Sequence, residues 1–243
     1  MVNWMLRLVL VLGILAGFGC SAEAGLLRKD DSKETIQEAV QVFEKSALDA
    51  GEGIPAALLH QCKAMAIFPS FKKVGLGFGV QGGFGLMLAR GQDGRWSAPG
   101  MFHMRGVSTG WQAGAQSMAV VLLIMKEDTL KDFVSRKITL GAEASISVGP
   151  KGRAAEGNVL ADMKAIYSYA WINRGVYAGI VIEGNSVTFD DEETEKLYGK
   201  KVKADDLLIA QTVAPPSSTQ KLLDLLNTHC VPAEPAAPTT VPK

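Results

Sequence analysis

A glycine at every second position is the feature of this sequence that most constrains its fold. Residues 72–85 read KKVGLGFGVQGGFG, in which glycines alternate with large apolar residues from position 75 to position 80. Two residues is the side-chain period of a β-strand, so one face of the predicted strand is apolar and the other is bare backbone. A bare face allows another segment to approach closely. We interpret five glycines of this stretch as structural: Gly75, Gly77, Gly79, Gly82 and Gly83.

The same stretch contains the string G-x-G-x-x-G, which is also the phosphate-binding fingerprint of dinucleotide-binding folds. That fingerprint requires a helix immediately after the glycines. Here the residues that follow Gly82 read GFGLMLARGQDGRW, a strand that runs into a turn. We therefore predict no phosphate site at these glycines, and no cofactor.

A second enzyme-like string, G-x-S-x-G, surrounds Ser108. A serine hydrolase places this serine on a sharp turn between a buried strand and a helix. The preceding segment, SAPGMFHMR, contains proline, glycine, histidine and arginine, which argues against a buried parallel strand. We predict a glycine-bounded bend and no catalytic residue. Hydrolysis by Ser108, with Asp190 and His229 following in the chain order of a triad, is the alternative function.

The first 24 residues have the pattern of a secretory signal peptide. Arg7 precedes an apolar core at residues 8–18, and Ala22-Glu23-Ala24 fits a cleavage site that leaves Gly25 first. This pattern predicts a periplasmic or secreted protein. Cleavage before Cys20, which would leave a lipoprotein anchored at that cysteine, is the alternative.

Export would place the remaining two cysteines, Cys62 and Cys230, in an oxidising compartment. Disulfides persist in oxidising compartments, and an even number of cysteines permits one. A Cys62–Cys230 disulfide and two unrelated thiols are both compatible with the sequence. No spacing of cysteines or histidines is typical of a metal site, so no metal is predicted.

Composition limits the classes of partner. The 25 basic residues balance the 25 acidic ones, which argues against a nucleic-acid-binding protein. The hydrophobic fraction of 47% is sufficient for a sizeable core. The last residues, 231–243, are rich in proline and alanine and are predicted to be disordered. One domain is expected over residues 25–230.

Hydrophobic periodicity predicts an α+β fold with helices at both ends of an antiparallel sheet system, sandwich-like or barrel-like. The first helix is amphipathic and begins after an Asp31 N-cap. Its apolar face is expected to pack on the sheet. The predicted helices are 32–46, 55–62, 127–136, 191–198 and 218–229, and the predicted strands are 64–68, 73–89, 96–99, 110–116, 119–125, 138–148, 165–172, 176–183 and 186–189.

Six short motifs follow one another along the chain: AIFP at 66–69, KVGLGFG at 73–79, WSAP at 96–99, KITLGA at 137–142, GPKGR at 149–153 and RGVYAGIVIEG at 174–184. This ordered set resembles the SYLF-domain family, and the resemblance extends over roughly residues 36–226. It implies a non-catalytic, lipid-binding module that associates with membranes. Some relatives bundle actin filaments, but we carry over lipid contact alone.

The residues themselves offer a small candidate lipid site. Lys72 and Lys73 form a basic pair beside Phe71, a combination that suits the headgroup region of a membrane. Arg153 and Arg174 lie in two predicted turns that are expected to share an edge. The expected partner is an anionic phospholipid or membrane surface, with a protein of the cell envelope as the alternative and no nucleic acid.

Overall fold

The structure, a computed structural model, describes residues 31–150, 164–172, 176–178 and 182–231. The predicted signal peptide, most of the predicted C-terminal tail, and both Arg153 and Arg174 lie outside these residues. Within them, no helix is long and apolar enough to cross a membrane.

The helices follow the predicted order, with one addition. The first helix begins after Asp31, whose carboxylate accepts the backbone N–H of Lys33 at 3.1 Å. It continues into a turn of wider, π-helical geometry. A short helix at 204–208 was not predicted from the sequence. The helical elements are α1 (Ser32–Val42), the π-turn (Phe43–Ala47), α2 (Ala56–Gln61), α3 (Glu127–Ser135), α4 (Asp191–Tyr198), α5 (Ala204–Leu208), a 3-10 turn (Ser217–Thr219) and α6 (Gln220–His229).

The centre of the fold is one long antiparallel ribbon of two strands. Its register runs from Ala64 opposite Ile124 to Met87 opposite Gly100. The sequence predicted a break at Pro69, and the chain instead continues through it with a shift of register between Phe68 and Phe71. Proline is tolerated in a strand at such a bulge. The strands are β1 (Ala64–Ala89), β2 (Gly100–Ile124), β3 (Ile138–Thr139), β4 (Ile146–Val148), β5 (Ile166–Ile172), β6 (Val176–Tyr177) and β7 (Asn185–Phe189).

Strand β2 organises the seven-stranded sheet of the described residues. It pairs with β1 along one edge and with β7 and then β5 along the other. All pairs are antiparallel except β4 with β5. The single strand predicted over 138–148 is two short strands, because Gly141 turns the chain with a φ of +85°. The α+β class is confirmed, with one curled sheet and not two facing sheets.

Alternation along β1 creates a separate core on each face of the sheet. Met65 and Ile67 point into the first core, and Ala66 and Phe68 point into the second. Helices α1, α2 and α6 bury their apolar residues in the first core, and α3 and α5 bury theirs in the second. The sheet is therefore covered by helices on both faces.

The glycines of β1 allow the ribbon to curl onto itself. A Cβ atom at Gly83 would lie 2.8 Å from the carbonyl oxygen of Ser70. A Cβ atom at Gly85 would lie 2.5 Å from a ring carbon of Phe68 and would also meet the carbonyl oxygen of Ile67. The segment that approaches these glycines is the earlier part of the same strand, which explains why this part of β1 has no side chain there.

Candidate functional site

A pocket of about 370 Å³ opens between the end of α1 and the bulge in β1. It is walled by three parts of the chain: the last turns of the first helix, the bulge, and an inner segment of β2 next to the end of β5. The lining residues are Glu38, Gln41, Val42, Lys45, Ser46, Pro69, Ser70, Ser117, Met118, Ala119 and Trp171.

Two local irregularities create the space. The first helix ends in a π-turn that includes Lys45 and Ser46, and this turn is wider than a turn of an ordinary α-helix. Opposite this turn, the bulge at Pro69 and Ser70 interrupts the ladder between β1 and β2. Both kinds of irregularity are frequent at functional sites.

Polarity in the pocket changes with depth. The floor is mainly apolar: Trp171 is fully buried, Met118 and Ala119 are 4% and 8% exposed, and Ser46 is the one polar residue of the lining that is equally buried. The indole N–H of Trp171 donates to the backbone carbonyl of Glu52 at 3.3 Å, so the ring is held in place. The rim is polar and exposed, with the side chains of Gln41, Lys45 and Ser117. This gradient suits a ligand with one apolar and one polar end.

The charge at the rim is set by Lys45. Its neighbour Glu44 is held 2.9 Å from Lys221, which directs that carboxylate toward α6. None of the ion pairs found among the described residues involves Lys45. The one carboxylate in the lining belongs to Glu38, which is half-buried and has an interaction partner of its own. Within the described part of the chain, the ammonium group at the pocket rim is therefore not neutralised by an ion pair.

The predicted basic pair lies beside this pocket, but only one of its lysines is on the same face. Lys72 is opposite Ser117, a lining residue, and Lys73 is opposite Gln116, which is not part of the lining. Directly opposite residues of an antiparallel pair share a face, and successive residues alternate between faces. The structure therefore places Lys72 on the face of the ribbon that carries the pocket, beside the lining residue Ser117, and Lys73 on the opposite face.

The other predicted lipid-site residues have different outcomes. The ring of Phe71 is 1% exposed and belongs to the second core, so it is not on the surface beside the lysines. Contact of this face with a headgroup would therefore depend on the charge of Lys72 and not on the ring of Phe71. Arg153 and Arg174 lie outside the described residues, and their role stays a prediction.

The two cysteines are buried in the same core, where the structure has them as free thiols. Burial raises the pKa of Cys62 to about 12, opposed by the charge of Arg90. Burial also raises the pKa of Cys230, and the neighbouring Cys62 adds to that increase. The two thiols thus belong to one buried cluster, and the disulfide stays a prediction.

The catalytic alternative at Ser108 finds no support in the geometry. Residue 108 lies inside β2, a strand that continues to Ile124, so the predicted bend is wrong and there is no strand-to-helix turn. Asp190 caps α4 by accepting the N–H of Glu193 at 3.0 Å, and its other close partner is Nδ1 of His103, 3.6 Å away. Within the described part of the chain, no group of three metal-ligating side chains is assembled.

The pocket residues of the first helix were missed by the sequence reasoning. Lys45 and Ser46 belong to a helix that the sequence predicts only to pack on the sheet. Nothing in the spacing of these two residues indicates a cavity. The local signal in the sequence is Pro69, which predicts the end of a strand and not a bulge.

Comparison with known proteins assigns the family. The sequence model of the Ysc84 family, described as "Las17-binding protein actin regulator", matches residues 105–229. The chain belongs to the Ysc84 family. This confirms the resemblance drawn from the short motifs, because the SYLF-domain family and the Ysc84 family are the same group.

Several proteins of the Ysc84 family are similar to this chain. "SH3 domain-containing YSC84-like protein 1" of Rattus norvegicus is 33% identical over 176 residues, 72% of this chain and 51% of that protein. "LAS seventeen-binding protein 3" of Saccharomyces cerevisiae is 30% identical over 207 residues, 84% of this chain and 44% of that protein. The chain spans about half the length of these relatives.

Proposed function

We propose that this protein is a non-catalytic module that binds anionic phospholipid at a membrane surface of the cell envelope. The observation that carries the proposal is the pocket with a mainly apolar floor and Lys45 at its rim, with Lys72 nearby on the same face of the ribbon. Membership of the Ysc84 family, whose description names binding and regulation and no reaction, supports it.

The physical basis is local charge. The chain as a whole is neutral, so no long-range field draws it to an anionic surface. Each lysine close to an anionic membrane contributes about 1 kcal/mol, within a Debye length of about 10 Å at 0.1 M salt. Lys45 and Lys72, neither of which has an ion-pair partner among the described residues, give weak, salt-sensitive attraction at that face.

Flotation with vesicles tests the proposal directly. The purified protein is mixed with vesicles of phosphatidylcholine alone or of phosphatidylcholine with phosphatidylglycerol, at low and at high salt. We expect flotation with the anionic vesicles at low salt and its loss at high salt, where charges are screened. A protein that stays unbound to anionic vesicles at low salt would show that it does not bind lipid surfaces.

Location in the envelope rests on the leader sequence. Cleavage after Ala24 leaves a chain that begins at Gly25, and cleavage before Cys20 leaves an acylated cysteine. The mass of the N-terminal peptide of the protein purified from its own cells distinguishes the two. We expect a peptide that begins at Gly25. An acylated Cys20 would instead show that the protein is anchored to a membrane and is not free in the periplasm or secreted.

A protein partner is the second candidate function. The descriptions of the family and of its yeast relative name binding to Las17, a protein. Cross-linking of the protein in its own envelope, followed by mass spectrometry, tests this candidate. A partner that cross-links to α1 or to the β1–β2 ribbon and is displaced by anionic vesicles would place both functions on one face.

Catalysis by Ser108 has its own test. A fluorophosphonate probe labels activated serines, and labelling that is lost in Ser108→Ala would contradict a non-catalytic role. We expect no labelling in either protein.

A further inference from the structure

We propose that the pocket takes up the end of one lipid chain, so that its ligand is a single-chain anionic amphiphile with an acyl portion of about ten carbons. The inference rests on the proposed function in that both place an anionic lipid at this face. It adds which part of the lipid enters the pocket and how much of it can enter.

The depth gradient sets the orientation of such a ligand. An anionic group placed at the floor would be desolvated against Trp171, Met118 and Ala119, which offer it no charged side chain. Burying an unpaired charge in an apolar site is strongly unfavourable. An acyl chain at the floor loses water and gains packing, and its carboxylate or phosphate then remains at the rim beside Lys45.

The rim supplies groups that recognise an anion. Lys45 provides an ammonium group, Gln41 an amide N–H, and Ser117 and Ser70 hydroxyl groups. Within the described residues none of these four side chains has a hydrogen-bond partner. Lys72, opposite Ser117, adds a second positive charge on the same face.

The volume limits the chain. A volume of about 370 Å³ holds roughly a dozen groups of the size of a water molecule, each of which occupies about 30 Å³. This accommodates about ten carbons of one chain and excludes both chains of a diacyl phospholipid. A diacyl lipid can therefore insert one chain end only, and a fatty acid or lysophospholipid of medium length fills the pocket alone.

Titration calorimetry of the full chain with linear carboxylates tests the proposal, with hexanoate, octanoate, decanoate and dodecanoate below their micelle concentrations. Each buried methylene group is expected to tighten binding about fourfold. Affinity should rise about sixteenfold for each two carbons up to decanoate and then level off within about twofold. Affinity that does not depend on chain length, or that keeps rising at dodecanoate, would overturn the proposal.

Matched variants locate the effect. Ser117→Phe obstructs the pocket mouth, and Gln116→Phe places the same ring on the adjacent, exposed residue of the opposite face. Lys45→Glu reverses the charge at the rim, and Lys33→Glu makes the same change earlier in α1, at an exposed residue away from the lining. We expect Ser117→Phe to abolish decanoate binding and Lys45→Glu to weaken it at least fivefold. Equal effects of a variant and its control would overturn the assignment to this pocket.

Two ligands separate chain uptake from anion binding. Decanol has the chain without the charge and should bind at least fivefold more weakly than decanoate. Inorganic phosphate has the charge without the chain and should show no measurable heat. Phosphate that binds as tightly as decanoate would reduce the pocket to an anion site and overturn the proposal.

The proposal and the proposed function fail separately. Vesicle flotation with no decanoate binding would overturn chain uptake and leave surface binding intact. Decanoate binding without flotation would overturn the proposed membrane association and leave the pocket assignment intact.

Discussion

Lys72 and Ser117 face each other across the β1–β2 ribbon, whereas the next residue, Lys73, faces Gln116. Ser117 lines the pocket and Gln116 does not, so two lysines that are adjacent in the sequence lie on opposite faces. A charge change at Lys73 is therefore the control for the same change at Lys72, because the two residues are neighbours along the ribbon but lie on opposite faces.

Reversal of these two charges should have unequal effects on vesicle binding. Lys72→Glu removes one attraction of about 1 kcal/mol and adds a repulsion of similar size, which corresponds to roughly a thirtyfold weaker affinity for anionic vesicles. Lys73→Glu should weaken it less than threefold. The measurement is the partition coefficient at low salt, repeated at high salt, where the difference should vanish. Equal losses in both variants would contradict docking through the pocket face.

The close approach at Gly85 predicts a stability effect. In Gly85→Ala the new methyl group would collide with the ring of Phe68 and the backbone of Ile67, neither of which can move without shifting β1. Overpacking of this kind costs about 1–3 kcal/mol. Urea unfolding followed by circular dichroism should show this loss in the free energy of unfolding.

Gly51→Ala is the matched control for this change. The nearest atom to a Cβ at Gly51 is the carboxylate of Asp49, 3.7 Å away, which is an ordinary contact. We expect no loss of stability in this variant. If Gly85→Ala is equally harmless, the ribbon does not curl onto residues 67–71 as described.

Local patterns of the sequence predicted local structure well. The Asp31 cap and the helix at 191–198 depend on neighbours within a turn of the chain, and both are confirmed. The alternation at positions 75–80 predicted a strand for the same reason. These elements needed no knowledge of what packs against them.

The pocket could not be predicted in this way, because it is a property of packing. Lys45 and Ser117 are far apart in the chain and meet at one rim only because α1 crosses the bulge of β1. The π-turn that widens the site contains no glycine or proline that would mark it in the sequence, and its first and last residues, Phe43 and Ala47, are fully buried. Phe71 shows the same limit, since its burial depends on the register of the bulge.

The predicted disulfide has a direct measurement. Cys62 and Cys230 end α2 and α6, and both are fully buried in the first core. A bridge that closes a loop of more than a hundred residues stabilises by roughly 4 kcal/mol in the chain-entropy description. In the full-length Cys20→Ser variant, purified without reductant and then denatured, we expect no thiol that reacts with Ellman's reagent. Two reactive thiols would contradict the bridge.

The reduced protein should become less stable at mildly alkaline pH. An unfolded cysteine ionises near pH 8.5, whereas burial raises the pKa of Cys62 to about 12 and also raises that of Cys230. The folded state thus keeps protons that the unfolded state loses. The stabilisation is complete below about pH 8.5 and declines as the pH rises toward the folded pKa values.

The useful window lies between about pH 8.5 and 9.5, below the ionisation of unfolded tyrosine near pH 10. Each buried thiol should lower the free energy of unfolding by about 1 kcal/mol across this window, so the reduced protein loses about 2 kcal/mol. Urea unfolding in a non-thiol reductant measures the loss, and Cys62→Ser should halve it. The oxidised protein, in which the predicted bridge leaves no ionisable thiol, should lose none. A reduced protein whose stability is constant from pH 8.5 to 9.5 would show that these thiols are not buried as described.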